Sequence, residues 1–196
     1  MPPRGNLSCA RLAAALFWVA AAPAAQAVHG DIAGFGDGVL HVLGGRVHWL
    51  AAVAAGAWAM AFAWRRGWVL PIAFAAAVAA GAGVGAAGGA SSAVDMTAIA
   101  SVIVLGALIA TGRTYPRAAA IAIVAVFGLV HGYSEGALAG KTGSVTQYAI
   151  GVSVASLALG IAGAGVGLML RLVSRHGLRV AGVAIAAAGV WSALGR

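Results

Sequence analysis

Apolar runs of about twenty residues, the length a bilayer requires, recur along this chain with only short polar breaks, and nothing else constrains its fold as strongly. They predict helices at 36–63, 68–88, 93–112, 116–135, 146–171 and 177–194. A water-soluble chain with 62% hydrophobic and only 8% charged residues lacks the polar side chains to cover its surface. A bilayer solvates such stretches instead. The expected fold is therefore all-α, a polytopic membrane bundle of about six transmembrane helices. The thirty glycines sit inside Ala/Val/Leu-rich runs, which makes them packing surfaces rather than signs of disorder. Gly81, Gly85 and Gly89, and Gly160, Gly163, Gly165 and Gly167, are the sets read this way.

Ahead of these runs, Arg4 and Arg11 form a basic n-region and Leu12 to Ala22 a short apolar segment. Ala25-Gln26-Ala27 completes the pattern of a cleavable secretory signal over residues 1–27, leaving a single membrane domain at 28–196. An uncleaved anchor is the alternative. With the signal removed, the N-terminus faces outward in a bacterial cytoplasmic membrane. Arg65, Arg66, Arg113, Arg117, Arg171, Arg175 and Arg179 then fall inside, which is seven of the ten basic residues after the signal. That is the positive-inside pattern, and an odd helix count would put one of these groups on the wrong side. Topology thus accounts for the net charge of +8, with no need of a nucleic-acid partner. The lone cysteine, Cys9, excludes a disulfide framework and a thiolate metal site.

The same map collects the polar chemistry on the outer side. All four acids, Asp31, Asp37, Asp95 and Glu135, fall at outer helix ends or in outer segments, as do His29, His41, His48 and His131. Ionisable groups at membrane depth are costly and by default functional. His41 and His48 are seven apart, so on one continuous helix they share a face two turns apart. His131 and Glu135, four apart, share another. Asp95 adds an oxygen from the start of the third helix. Nitrogen and oxygen donors without thiolate suit a borderline divalent ion such as Ni²⁺, Co²⁺ or Zn²⁺. The competing reading is that each histidine only satisfies a backbone carbonyl or a neighbouring helix.

The stretch His29-Gly30, Gly34-Phe35, Gly38 and His41-Val42-Leu43-Gly44-Gly45-Arg46-Val47-His48-Trp49-Leu50-Ala51 resembles the first transmembrane segment of the HupE/UreJ family. Val94-Asp95, with Ile99-Ala100-Ser101-Val102-Ile103-Val104-Leu105-Gly106, is similar to that family's Val-Glu and Ser-Val-Leu-Val-Leu-Gly segment. His131-Gly132-Tyr133-Ser134-Glu135-Gly136 looks like its Phe-His-Gly-x-Ala-His-Gly-x-Glu segment. The resemblance covers nearly the whole chain. It implies a hydrogenase- or urease-associated permease for nickel, or cobalt, with the ion as substrate and no permanently bound cofactor. It also implies inward transport. The partners it implies are the lipid bilayer and the divalent ion, with a second copy of the chain or metalloenzyme-maturation proteins beside them.

The chain departs from the pattern in several places. Val47 stands where the family has an aspartate and Val42 where it has a proline. Asp95 replaces a glutamate, Glu135 falls where a second histidine is usual, and Leu138 replaces the final glutamate. Arg46 is added beside the lost aspartate, and a fixed cation near a divalent ion weakens its binding. On a continuous helix Arg46 lies about 140° from His41 and can face away. Asp37, four residues before His41, is a candidate replacement carboxylate, and His29, second in the chain after cleavage, a candidate capture group.

Gly140-Lys141-Thr142 lacks the glycine and the preceding strand of a phosphate-binding loop. With no nucleotide motif, transport has to run on a gradient or on a partner. No catalytic constellation is visible, so an enzyme is not expected. The expectation is a secondary permease with metal ligands His41, His48, Asp95, His131 and Glu135, followed by His29 and Asp37. The alternative is a diverged, non-transporting accessory or interaction subunit of the same family.

Overall fold

A computed structural model of the chain describes residues 34–62, 67–113, 115–139 and 144–195, which form seven α-helices with no strand among them. The helices are α1 (Phe35–Gly44), α2 (Arg46–Ala59), α3 (Val69–Gly88), α4 (Ser92–Thr111), α5 (Arg117–Ala139), α6 (Val145–Val173) and α7 (Gly177–Leu194). The signal segment, His29, Asp31, Arg65, Arg66, Lys141 and Arg196 lie outside the described residues.

Helices α3 to α7 are each long and apolar enough to cross a membrane, and the α1–α2 pair makes a sixth crossing if counted as one. Large apolar side chains such as Leu40, Met169, Leu172, Val183 and Leu194 point outward. In water that surface would aggregate; in a bilayer it is the lipid-facing side. The chain is a multi-pass membrane protein.

The predicted continuous helix at 36–63 is the main correction. It breaks at Gly45, and α1 and α2 meet at a bend of 84°. Gly45 adopts an extended conformation (φ −86°, ψ 101°) that no helix contains. A glycine pair, Gly44-Gly45, is a usual place for a sharp kink. Gly45 keeps its backbone bonds across the break: its N–H donates to the His41 carbonyl at 2.9 Å, and its carbonyl accepts from His48 at 3.0 Å and Trp49 at 3.1 Å. Because the two helices diverge there, the angular offset expected between Arg46 and His41 on one helix does not apply. The fourth predicted helix is longer than 116–135. It begins after Pro116, whose carbonyl accepts from Ala120, and runs to Ala139, so Glu135 lies inside the helix rather than at its end.

Small residues decide how the helices pair. Gly81 and Gly85 of α3 press against the Leu129 and Tyr133 carbonyls of α5. In return, Gly128, Gly132 and Gly136 of α5 press against Phe74, Val78 and Ala82. A Cβ at any of these five would overlap the opposite backbone. Gly106 and Gly182 join α4 to α7, Gly56, Gly163 and Gly167 join α2 to α6, and Gly38 and Gly151 join α1 to α6. Such contacts hold helices together where no hydrophobic force acts between them. Of the glycines singled out from sequence, Gly81, Gly85, Gly160, Gly163 and Gly167 sit in these seams. Gly165 faces open space, and Gly89 ends α3 with φ +75°. Helix α2, rich in alanine and buried on nearly every side, runs through the middle.

The two ends of the bundle differ chemically. Arg179 at the start of α7 reaches Gly112 at the end of α4, and Arg171 near the end of α6 donates to the Met60 carbonyl just after α2. Arg113, Arg117 and Arg175 stand in the same two connections. Asp95, Ser134, His41, His48 and His131 lie toward the opposite end, while His176 stands beside Arg175 at the start of α7.

Candidate functional site

The break between α1 and α2 builds the site. On a straight helix, seven residues separate two Cα atoms by about 10 Å along the axis. Here the bend brings the rings of His41 and His48 to a centroid distance of 5.2 Å. The expectation that these histidines act together on one helical face is thus corrected in its geometry: they converge because the helix is interrupted.

His48 then reaches across to α5. Its Nδ1 lies 3.2 Å from Nδ1 of His131 and 3.0 Å from Oε1 of Glu135. His131 and Glu135 share one face of α5, as their spacing predicts, and each is only 1% exposed. His131 lies eight residues, or about 12 Å, inward from the end of α5. Ser101 of α4, fully buried, stands 2.9 Å from the other ring nitrogen of His131. Phe74 of α3 packs on the same imidazole, with ring centroids 5.8 Å apart. Four helices therefore converge on one buried imidazole–carboxylate cluster.

Outside the cluster is a cavity of about 190 Å³. Its wall includes His41, His48, Asp95 and Ser134, together with the apolar Val47 and Leu138. The Ser134 hydroxyl donates to Asp95 Oδ1 at 2.6 Å and fixes that carboxylate against α5. His131 and Glu135 are not part of this wall. His48, with 15% of its side chain exposed, is the residue common to cavity and buried cluster.

Asp37 is exposed and accepts the Gly34 N–H at 3.1 Å, closing the first turn of α1. It does not line the cavity. His29 lies outside the described residues. Sequence reasoning overlooked Ser101, Ser134, Phe74 and Tyr148 as parts of the site. Tyr148 of α6 packs against His41 at 6.1 Å and is 1% exposed. The sequence signal for Ser101 was its isolation as a polar residue in an apolar run.

Hydrogen-bonding capacity is left over at the centre. Nε2 of His41, Oε2 of Glu135 and the Tyr148 hydroxyl are buried without a hydrogen-bond partner among the described residues. Buried polar atoms are rarely left so in proteins, which makes the cluster a suitable host for a polar or charged guest. At the same time, no three His, Cys, Asp or Glu side chains among the described residues are spread into a ready metal-holding set. The donors of His48, His131 and Glu135 are bonded to one another instead, so a guest has to replace those contacts.

The chain matches the family described as HupE / UreJ protein over residues 12–192. It is 32% identical over 166 residues to Protein HupE of Rhizobium leguminosarum bv. viciae, a match covering 82% of this chain and 87% of that protein. No solved structure matches it.

Proposed function

The chain belongs to the HupE/UreJ family, and from that membership and the buried cluster we propose that it is a secondary permease for a divalent transition metal, nickel first and cobalt second. The observation that carries this reading is the contact of His48 with both His131 and Glu135 inside a membrane bundle. Imidazole suits divalent transition metals, and the buried carboxylate offsets their charge.

The route begins in the outer cavity, where Asp95 and His41 draw in a hydrated cation. His48 passes it to the buried pair by exchanging its contact with His131 for one with the ion. The positive-inside rule supports reading the arginine-rich opposite end as cytoplasmic and the cavity as open to the periplasm. With no nucleotide motif in the sequence, the driving force is a gradient or a partner protein.

A second reading is supported by one observation. Val47 and Leu138, which occupy the positions of two carboxylates in the family pattern, both line the cavity. A mouth with two fewer negative charges attracts cations less strongly, as a non-transporting accessory subunit of the family would tolerate. Uptake of radiolabelled nickel by cells expressing the chain decides between the two. The permease reading expects accumulation well above empty-vector cells, abolished by His48→Ala and by His131→Ala at equal membrane abundance. Background-level accumulation of both nickel and cobalt by the wild-type chain selects the accessory subunit.

A further inference from the structure

Each imidazole of the cluster can present a lone pair only from a nitrogen that carries no proton, so the tautomer of His131 decides whether it can ligate at all. Two hydrogen bonds fix it. The Ser101 hydroxyl has one proton, and that proton goes to the Ala98 carbonyl, 2.7 Å away and one turn back on α4. Toward His131 Nε2, at 2.9 Å, Ser101 can therefore only accept. The proton of the neutral ring is consequently on Nε2, and Nδ1 carries the lone pair. That nitrogen is the one facing His48.

From this we propose that Ser101 is a positioning residue, whose hydroxyl, anchored on the Ala98 carbonyl, holds His131 in the tautomer that aims the Nδ1 lone pair at the ion path. The proposal deepens the permease reading and rests on His131 being a ligand. Metal-bound histidines as a class donate their second ring N–H to a carboxylate, carbonyl or water, which fixes the ring and its tautomer. Ser101 is an unusual member of that set, because a hydroxyl accepts reliably only when its own proton is committed elsewhere. Here the helix backbone commits it. Ser101 is fully buried, so water does not compete for either bond.

Without the hydroxyl, the buried Nε2–H loses its acceptor at 2.9 Å, whereas a proton on Nδ1 still has His48 at 3.2 Å. Ser101→Ala therefore shifts His131 toward the Nδ1–H form, which blocks ligation. The test is ¹⁵N-histidine NMR on the metal-free, full-length chain, assigned with His131→Ala, alongside nickel titration of the same samples. The proposal expects the wild-type ring as Nε2–H, a shift toward Nδ1–H in Ser101→Ala, and nickel affinity lowered about 10–100-fold, the usual scale for lost outer-shell partners. Ser101→Thr, which keeps a hydroxyl able to bond one turn back, restores the wild-type tautomer. An unchanged tautomer in Ser101→Ala overturns the proposal, even with weakened nickel binding, since the serine would then only fill space. If the wild-type chain binds no nickel, the permease reading fails on its own, while the tautomer spectra still decide the role of Ser101.

Discussion

Glu135 concentrates the electrostatics of the site. It is buried to 1% exposure, bonds His48 through one oxygen and has no hydrogen-bond partner for the other among the described residues. A carboxylate kept in that state costs free energy that a bound cation offsets. Glu135→Gln preserves shape and one acceptor while removing the charge. Nickel affinity of the purified chain, measured against a competing chelator, should fall at least about 10-fold, with membrane abundance unchanged. The sequence made His41, His48, His131 and Glu135 visible because histidines and acids are conspicuous in a chain with four acids and five histidines. It did not make Ser101 or Ser134 visible. A serine inside a membrane helix commonly bonds only its own backbone, so its type alone does not mark a site. Only the position of His131 beside Ser101, which no spacing within α4 reveals, distinguishes it.

The helices are held by glycine seams, and the α3–α5 seam bears directly on the site because Gly132 and Gly136 flank His131 and Glu135 on the same helix. A side chain at Gly132 would overlap the Val78 carbonyl and push α5 away from α3. Gly132→Val should lower thermal stability by about 1–3 kcal/mol or more and reduce membrane abundance. Gly165→Ala, where a Cβ meets nothing within 4 Å, should leave both unchanged. Equal effects from the two substitutions, read from thermal unfolding in detergent, contradict the seam. The small-residue pattern was legible in the sequence for α3 and α6. The stripe Gly128, Gly132, Gly136 was equally available there but lay hidden among the motif residues around His131. The break at Gly45 was not legible. Glycine pairs permit a kink but are also tolerated in continuous membrane helices, so the pair alone does not say which of the two the chain adopts.

Across the whole molecule, one end carries arginines and the other a cavity leading to buried imidazoles. Helix number and the burial of an apolar core follow from hydropathy, and the alternation of basic connections follows from charge. The convergence of α2, α3, α4 and α5 on one centre is a tertiary property that no segment encodes alone. For the proposed permease, entry of the ion requires the His48–His131 contact to open, because the two nitrogens face each other at 3.2 Å.

The most direct measurement is a nickel titration of the purified full-length chain and of its His131→Ala variant, read against a competing chelator. Saturable binding by the wild-type chain, lost in His131→Ala, is the predicted result. Binding by His131→Ala that equals the wild type would contradict the assignment of the buried cluster as the ion's site.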